Sequence, residues 1–193
     1  NRPDALAAFD KALKINPRAA EALVGKGQAA LQGMELKQAD SFADQALKVN
    51  PNLPMALRLK ADVHLASGEL SEAKKALQTA TEVNPRDEST LARLAACCFL
   101  TKGEDDFNRL VGEVLKFNPK PGQFYYELAE CLEERKLYAD AETYFKKSID
   151  ARDKLPGPRA GLGMLYLRLG KEQEARELLT KAFENDKFNV RVA

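Results

Sequence analysis

The 193-residue sequence has no tryptophan, a single histidine and only three cysteines. Three cysteines (Cys97, Cys98 and Cys131) are too few for a disulfide framework, and unpaired thiols favour a reducing compartment such as the cytoplasm. A Ser-His or Cys-His catalytic centre would have to use His64, the one histidine. Phosphate-binding loops of the G-x-x-x-x-G-K or G-x-G-x-x-G type are absent as well. We therefore expect no catalysis and no cofactor in this segment.

The sequence also lacks an excess of either charge and a long apolar run. Its 30 Lys and Arg residues against 29 Asp and Glu give a net charge of +1, so no overall field attracts a polyanion or an anionic membrane. The longest unbroken apolar run, residues 94–100, is far shorter than the roughly 20 residues of a membrane span. We expect no nucleic-acid partner and no membrane partner.

What the sequence does contain is an internal repeat. The pair Asn-Pro occurs at 16–17, 50–51, 84–85 and 118–119, so that successive prolines are 34 residues apart. A second column follows the same spacing, because a small residue stands ten positions after each proline position, at Gly27, Ala61, Ala95, Ala129 and Gly163. A fixed period of this size predicts a solenoid of similar units.

Each unit is predicted to be a pair of antiparallel helices, a first (A) helix and a second (B) helix. Apolar residues recur at steps of three and four, as in Leu70, Ala73 and Leu77, which indicates one face of an α-helix. Asn-Pro is predicted to end the B helix, because proline pushes the preceding residue out of the α region and asparagine tolerates the left-handed conformation of a helix end. The turns between A and B helices are predicted at Gly33, Gly68, Gly103 and Gly170.

The period, the small column, the later alanines and the proline itself resemble the tetratricopeptide repeat (TPR) family over essentially the whole chain. The fifth unit departs from the family pattern because it lacks Asn-Pro, and the large aromatic residue that the family carries early in the A helix is here Leu23, Leu57, Leu91, Tyr125 and Arg159. The resemblance implies an all-α, right-handed superhelical solenoid of helix-turn-helix repeats, with about five and a half repeats, eleven helices and no strand.

The repeat predicts a single array over residues 1–193. It starts with a B helix at 3–15 that has no A partner, and continues with hairpins at 19–49, 53–83, 87–117, 121–150 and 156–185. Such arrays usually need a polar closing helix for solubility, and the pattern shows none after 185. We therefore expect an excerpt of a longer protein, and self-association through the uncapped ends stays open.

His64 and the three cysteines are the only candidates for a metal site. His64 and Cys98 share one repeat column and Cys97 and Cys131 share another, which separates the members of each pair by roughly 10 Å, the scale of helix packing. Zinc needs every ligand atom within about 2.3 Å of the metal ion. We expect no metal site and assign these side chains to packing between helices.

By the resemblance, a partner would bind to the A helices at four, seven, eleven and fourteen residues after the repeat proline, which we call the inner positions. Some family members use Lys and Asn there to clamp the carboxylate of a chaperone tail, but the corresponding pairs here are Val24/Gln28 and Ala92/Ala96. The predicted binding residues are Val24, Gln28, Met55, Arg58, Asp62, Phe99, Tyr126, Glu130, Glu133 and Met164.

These positions mix apolar side chains with an acidic end between Glu127 and Glu134. The combination favours a protein or peptide partner that carries apolar side chains and some positive charge. An acidic, solvated helix face is the other interpretation of the same residues.

Two functions fit the sequence. The first is a protein–protein interaction scaffold that binds a peptide or partner protein in the concave groove of a TPR solenoid. The second is a non-catalytic regulatory or substrate-positioning arm of a larger enzyme whose catalytic domain lies outside this segment. A bacterial metallopeptidase is one such enzyme, because "FNVRV" at 188–192 resembles the residues that come directly after the TPR segment in some of those proteins. An H-E-x-x-H helix beyond Ala193 would favour the second function.

Overall fold

A computed structural model describes residues 2–151 and 156–185. Within these ranges the chain forms eleven α-helices and no strand, which confirms the predicted all-α repeat solenoid. The helices are α1 (Arg2–Ile15), α2 (Ala20–Gln32), α3 (Leu36–Val49), α4 (Pro54–Ser67), α5 (Leu70–Val83), α6 (Glu88–Leu100), α7 (Glu104–Phe117), α8 (Gly122–Glu134), α9 (Tyr138–Ala151), α10 (Pro156–Arg168) and α11 (Glu172–Asn185). The A helices are α2, α4, α6, α8 and α10, and the others are B helices.

The helices divide into two compact units. Among the described residues, the first contains the chain up to Thr90 together with Leu100–Lys102, and the second contains Leu91–Phe99 and the residues from Gly103 onward. The core of the first unit is built from small and aliphatic side chains of α2, α3 and α4. The core of the second unit is more aromatic, because Phe124 of α8 and Phe145 of α9 are fully buried there.

Each A helix ends in the same turn, in which one residue has a left-handed backbone. The residues with positive φ are spaced 34 apart, at Met34, Gly68, Lys102, Lys136 and Gly170. The N–H of the next residue donates to the carbonyl five residues back, for example Glu35 to Ala30 at 2.9 Å and Lys171 to Tyr166 at 2.8 Å, as in a Schellman motif. The predicted turn positions at Gly33 and Gly103 are confirmed, but their φ angles are −81° and −83° and the left-handed residue of each turn is their neighbour.

The Asn-Pro pairs end B helices, but not in the left-handed conformation that the sequence suggested. Asn50, Asn84 and Asn118 are extended, with φ of −139°, −136° and −136°. The following proline excludes the helical region at the residue before it. The side-chain oxygen of each asparagine instead accepts the backbone N–H two residues on, at 3.1, 3.4 and 3.1 Å. Asparagine therefore contributes an Asx turn that leads into the next A helix.

The glycines of the small column lie where A helices pack closely against their neighbours. A Cβ atom on Gly27 would lie 2.3 Å from Leu59 Cδ2 and 3.2 Å from Phe42 Cβ, and one on Gly163 would lie 2.8 Å from Leu179 Cγ. The column therefore excludes larger side chains for steric reasons. None of the helices in the described ranges combines the length and the apolar composition that crossing a bilayer requires.

Candidate functional site

The inner positions of the first unit lie on α2 and α4. Met55 is 39% exposed and Gln28 is exposed, whereas Arg58 and Asp62 are half-buried. Val24 has no exposed surface and belongs to the core with Leu59 of α4. The expectation that Val24 faces a partner is therefore wrong for this structure, because the side chain is covered by packing between the helices.

Arg58 is held by an ion pair that the sequence did not reveal. Its guanidinium donates to the carboxylate of Asp87, which also accepts the Thr90 hydroxyl at 2.5 Å and the Thr90 backbone N–H at 3.3 Å. Burial alone would raise the pKa of Asp87, but the hydrogen bonds from Thr90 and the charge of Arg58 outweigh it and hold the pKa below its ordinary value. The charge of Arg58 is thus balanced, and its side chain ties the inner face of α4 to the start of α6.

The inner positions of the second unit are dominated by α8. Tyr126, Glu130 and Glu133 follow one another at steps of four and three, so they form a single stripe on that helix. The Tyr126 hydroxyl donates to Glu130 Oε1 at 2.5 Å. Burial of the Tyr126 ring, with this bond to a carboxylate, raises the pKa of the phenol well above its ordinary range.

The carboxyl of Glu130 also titrates abnormally. Desolvation raises the pKa of Glu130, and the nearby carboxylates of Glu127 and Glu134 raise it further, whereas the Tyr126 hydroxyl and the charge of Arg93 act in the opposite direction. Glu127 itself is neutralised, because it accepts from the guanidinium of Arg93 and from Gln123 Nε2 at 2.7 Å. The negative charge of the stripe itself comes from Glu130 and Glu133.

The stripe on α8 runs beside the inner face of α10. At one end the Tyr126 ring lies against the first turn of α10, where a Cβ on Gly157 would be 3.2 Å from Tyr126 Cζ. At the other end Arg168 Nη2 lies 3.8 Å from Glu133 Oε1. Met164 and Leu167, between these two contacts in the sequence of α10, are 53% and 44% exposed. We call Tyr126, Glu130, Glu133, Met164 and Leu167 the acidic-apolar surface.

Phe99, the remaining predicted residue, lies in a different environment. Its half-buried ring packs edge-to-face on Phe107 of α7, with the ring centroids 5.6 Å apart, and Phe107 packs in the same way on Tyr144 of α9 at 6.1 Å. Phe99 is therefore engaged in an aromatic cluster between helices of the second unit, which limits the surface that it offers to a partner.

The residues considered for metal or redox chemistry are dispersed. His64 Nδ1 lies 2.6 Å from Glu69 Oε2 at the turn between α4 and α5. Cys97 and Cys98 are buried in α6, and Cys131 of α8 is half-buried. In the parts of the chain that the structure describes, no three His, Cys, Asp or Glu side chains are grouped so that they could hold a metal ion. The expected absence of catalysis stays a prediction.

Comparison with known proteins identifies the repeat. Two family models, both described as tetratricopeptide repeat, match residues 122–187 in one case and residues 1–54 and 58–106 in the other. No curated protein matches the chain.

Solved structures of repeat proteins match the fold. TTC0263, a thermophilic TPR protein of Thermus thermophilus, is 20% identical, with 90% of this chain and 95% of that chain covered and a TM-score of 0.59. YrrB, described as a TPR protein with an unusual peptide-binding site, is 18% identical with 94% of each chain covered and a TM-score of 0.55. The pilF protein of Pseudomonas aeruginosa is 20% identical, with 90% and 79% covered and a TM-score of 0.55. At these identities the similarity shows the fold alone.

Proposed function

We propose that this chain, which belongs to the tetratricopeptide repeat family of protein–protein interaction scaffolds, binds a segment of a partner protein at the inner positions of its A helices. Family membership indicates an interaction scaffold but does not specify which surface binds the partner. A peptide-binding site is part of the description of YrrB, whose fold this chain shares, and the proposal extends the use of a repeat surface for peptide binding to this chain.

The observation that carries the proposal is the exposure of large apolar side chains at inner positions. Met55 in the first unit, and Met164 and Leu167 in the second, are between 39% and 53% exposed. Methionine has an unbranched, polarizable side chain that adapts to differently shaped partners, and apolar anchors of this kind supply much of the binding energy of interfaces. Contact with a partner would remove this apolar surface from water.

Site-specific photo-cross-linking tests the proposal. A photoreactive amino acid is placed at Met55 or Met164 of the full chain, one position at a time, and the chain is exposed to an extract of its source cells. Matched controls carry the same amino acid at exposed positions of B helices, Lys37 in the first unit and Asp105 in the second. We expect covalent adducts with a discrete partner at the inner positions and not at the controls.

Two outcomes would contradict the proposal. Adducts that form equally at Lys37 and Asp105 would indicate a different surface, and an absence of adducts at both Met55 and Met164 would indicate that the inner positions are not used. Circular dichroism of each variant establishes that its helices are retained.

A further inference from the structure

We propose that the acidic-apolar surface of the second unit accepts a cationic segment of a partner protein, in which Lys or Arg residues flank an aliphatic or aromatic side chain. This inference rests on the proposed function, because it specifies the chemistry of the partner that binds at the same inner positions. It follows from the arrangement of α8 and α10, from the apolar residues that they expose, and from charges that the chain itself does not neutralise.

The first step is geometric. Two contacts join α8 to α10. One is between Tyr126 and the first turn of α10, and the other is between Glu133 and Arg168. The two contacts lie seven residues apart on α8 and eleven apart on α10. Two helices that touch at both ends of such a stretch run side by side along it. Glu130 on α8 and Met164 on α10 both lie between the two contacts in sequence, so a carboxylate and an apolar side chain occupy the same stretch of the paired helices.

The apolar residues of this stretch lie on α10. Met164 and Leu167 are three residues apart on α10 and therefore share one helix face. Both are large and substantially exposed, at 53% and 44%. Together with the partly covered ring of Tyr126, they form an apolar area on which an aliphatic or aromatic side chain can be desolvated.

The third step is charge. Among the described residues no Lys or Arg forms an ion pair with Glu130, whose hydrogen-bond partner is the neutral hydroxyl of Tyr126. In the described ranges the ion-pair partner of Glu133 is Arg168, at 3.8 Å, which is too long for a strong charge-assisted hydrogen bond. The raised pKa of Glu130 has the same physical origin, since desolvation and neighbouring carboxylates both disfavour its ionised form. A cation from a partner would relieve that repulsion.

The inner positions of the first unit provide a contrast within the same chain. The repeat columns that hold Glu130 and Glu133 on α8 hold Asp62 and Leu65 on α4 and Gln28 and Leu31 on α2. The charge of Arg58 is balanced by Asp87. In these two columns the first unit therefore has one carboxylate, Asp62, where α8 has two, and a weaker preference for cationic segments is expected there.

Binding of defined peptides to the full chain tests the inference. The probes are three short fluorescent peptides that share the same leucines and carry Lys, Gln or Glu at the positions between them, and affinity is measured by fluorescence anisotropy. We expect the Lys peptide to bind at least about tenfold more tightly than the Gln peptide, with the difference shrinking as ionic strength rises. The Glu peptide is expected to bind more weakly than both.

Variants of the chain assign the effect to this surface. Charge reversal by Glu130→Lys with Glu133→Lys is expected to weaken binding of the Lys peptide at least about tenfold. Met164→Ser is expected to weaken the Lys and Gln peptides by similar factors, because both use the apolar anchor. The matched control, Glu177→Lys with Glu184→Lys, makes the same charge change at two exposed sites on α11 and is expected to leave binding unchanged. Glu130→Gln with Glu133→Gln, which keeps the side-chain shape, is expected to weaken the Lys peptide without loss of helix content.

The outcomes separate the inference from the function on which it rests. Equal binding of the Lys and Gln peptides, or no binding of the Lys peptide, would overturn the inference, and the proposed function would stand if photo-cross-links at Met55 and Met164 persisted. Absence of those cross-links together with absence of peptide binding would overturn both. A loss of affinity in the Glu177→Lys, Glu184→Lys control as large as in the double reversal on α8 would also overturn the inference, because it would reflect net charge and not this surface.

Discussion

Five of the residues that the structure describes have the left-handed backbone that ends an A helix, and three of them are not glycine. Met34, Lys102 and Lys136 have φ angles of 59°, 57° and 61°, where a Cβ atom crowds the carbonyl oxygen. Gly68 and Gly170 occupy the same repeat position without that strain. The Schellman hydrogen bonds hold all five turns in the same geometry, so the strain at the non-glycine residues is a cost to folding.

Lys136→Gly is expected to stabilise the protein, since it removes this strain at an exposed turn. Glycine also increases the entropy of the unfolded chain, which offsets part of this stabilisation. The net gain in unfolding free energy should therefore be about 0.5–1 kcal/mol. Gly170→Ala, the matched change in the opposite direction, is expected to destabilise by a similar amount. Urea unfolding followed by circular dichroism measures both, and a loss of stability in Lys136→Gly would refute the argument.

Asp87→Asn is expected to lower the free energy of unfolding by about 1–2 kcal/mol at neutral pH, because it leaves Arg58 without its counter-ion and weakens the bonds to Thr90. The folded-state pKa of Asp87 is depressed, so its contribution is fully present above the ordinary value of 3.8 and is lost as pH falls through the folded value. Unfolding measured from pH 7 down to acid should therefore show the difference between wild type and variant shrinking. A constant difference would mean that the charge of Asp87 is not the cause.

Glu130→Gln is expected to have the opposite pH dependence. The folded-state pKa of Glu130 is raised, so ionisation is less favourable in the folded chain than in the unfolded chain, and wild-type stability is lost as pH rises through the folded value. The variant should therefore be more stable than wild type at neutral pH, by roughly 0.5 kcal/mol, and equal to it in acid. Thermal unfolding at several pH values measures the effect, and a variant less stable at neutral pH would contradict it.

At the scale of helices, the 34-residue period predicts where the helices lie along the chain. The sequence predicts that the fifth hairpin begins at residue 156 although its unit lacks Asn-Pro, and α10 spans Pro156–Arg168. The 34-residue columns place this hairpin because each repeat packs as the one before it does, and Pro156 and Pro158, which suit a first helical turn, indicate where it begins. Side-chain pairings across helices do not follow from the columns. Asp87 was not predicted as the partner of Arg58, and the burial of Val24 depends on neighbouring helices whose contacts no single column specifies.

Two glycines inside helices are expected to respond in opposite ways to larger side chains. Gly27→Leu should destabilise by about 1–3 kcal/mol, because even a Cβ at this position would overlap Leu59. Gly112→Ala in α7 should stabilise by about 0.5–1 kcal/mol, since nothing lies within 4 Å of a Cβ there and alanine is the better helix former. Chemical denaturation of the two variants tests this, and equal effects would show that close packing does not explain the small column.

At the scale of the whole chain, the same packing rule recurs with different neighbours. Gly27 packs near Leu59, Phe42 and Ala39, whereas Gly163 packs near Leu179 and Ala175. The two positions share no contacting residue, and each set belongs to one unit. Stability in such an array is close to a sum of local terms.

The effects of Gly27→Leu and Gly163→Leu should therefore add in the double variant. We expect the summed loss of unfolding free energy to match the measured loss within about 0.5 kcal/mol. A double-mutant cycle analysed from the same denaturation experiments measures the difference. A coupling well above this value would show that the two sites influence each other.

The candidate site was only partly predictable from the sequence. The acidic stripe on α8 and the exposure of Met164 follow from the repeat register and from residue type. The ion pair between Glu127 and Arg93 does not follow from register and residue type. It joins two A helices one full repeat apart and depends on the conformations of two long side chains between those helices. Charge at an inner position is therefore predictable, whereas its balance with neighbouring groups is a property of the folded chain.

The burial of adjacent thiols in α6 has a practical consequence. Cys97 and Cys98 are shielded from solvent, whereas Cys131 is partly accessible, so alkylating reagents should modify Cys131 first in the native protein. Modification of the shielded pair then requires α6 to open, and its rate reports the frequency of that local unfolding. The chain thus carries an intrinsic pair of chemical reporters for motion in one helix and a separate attachment point for a fluorophore.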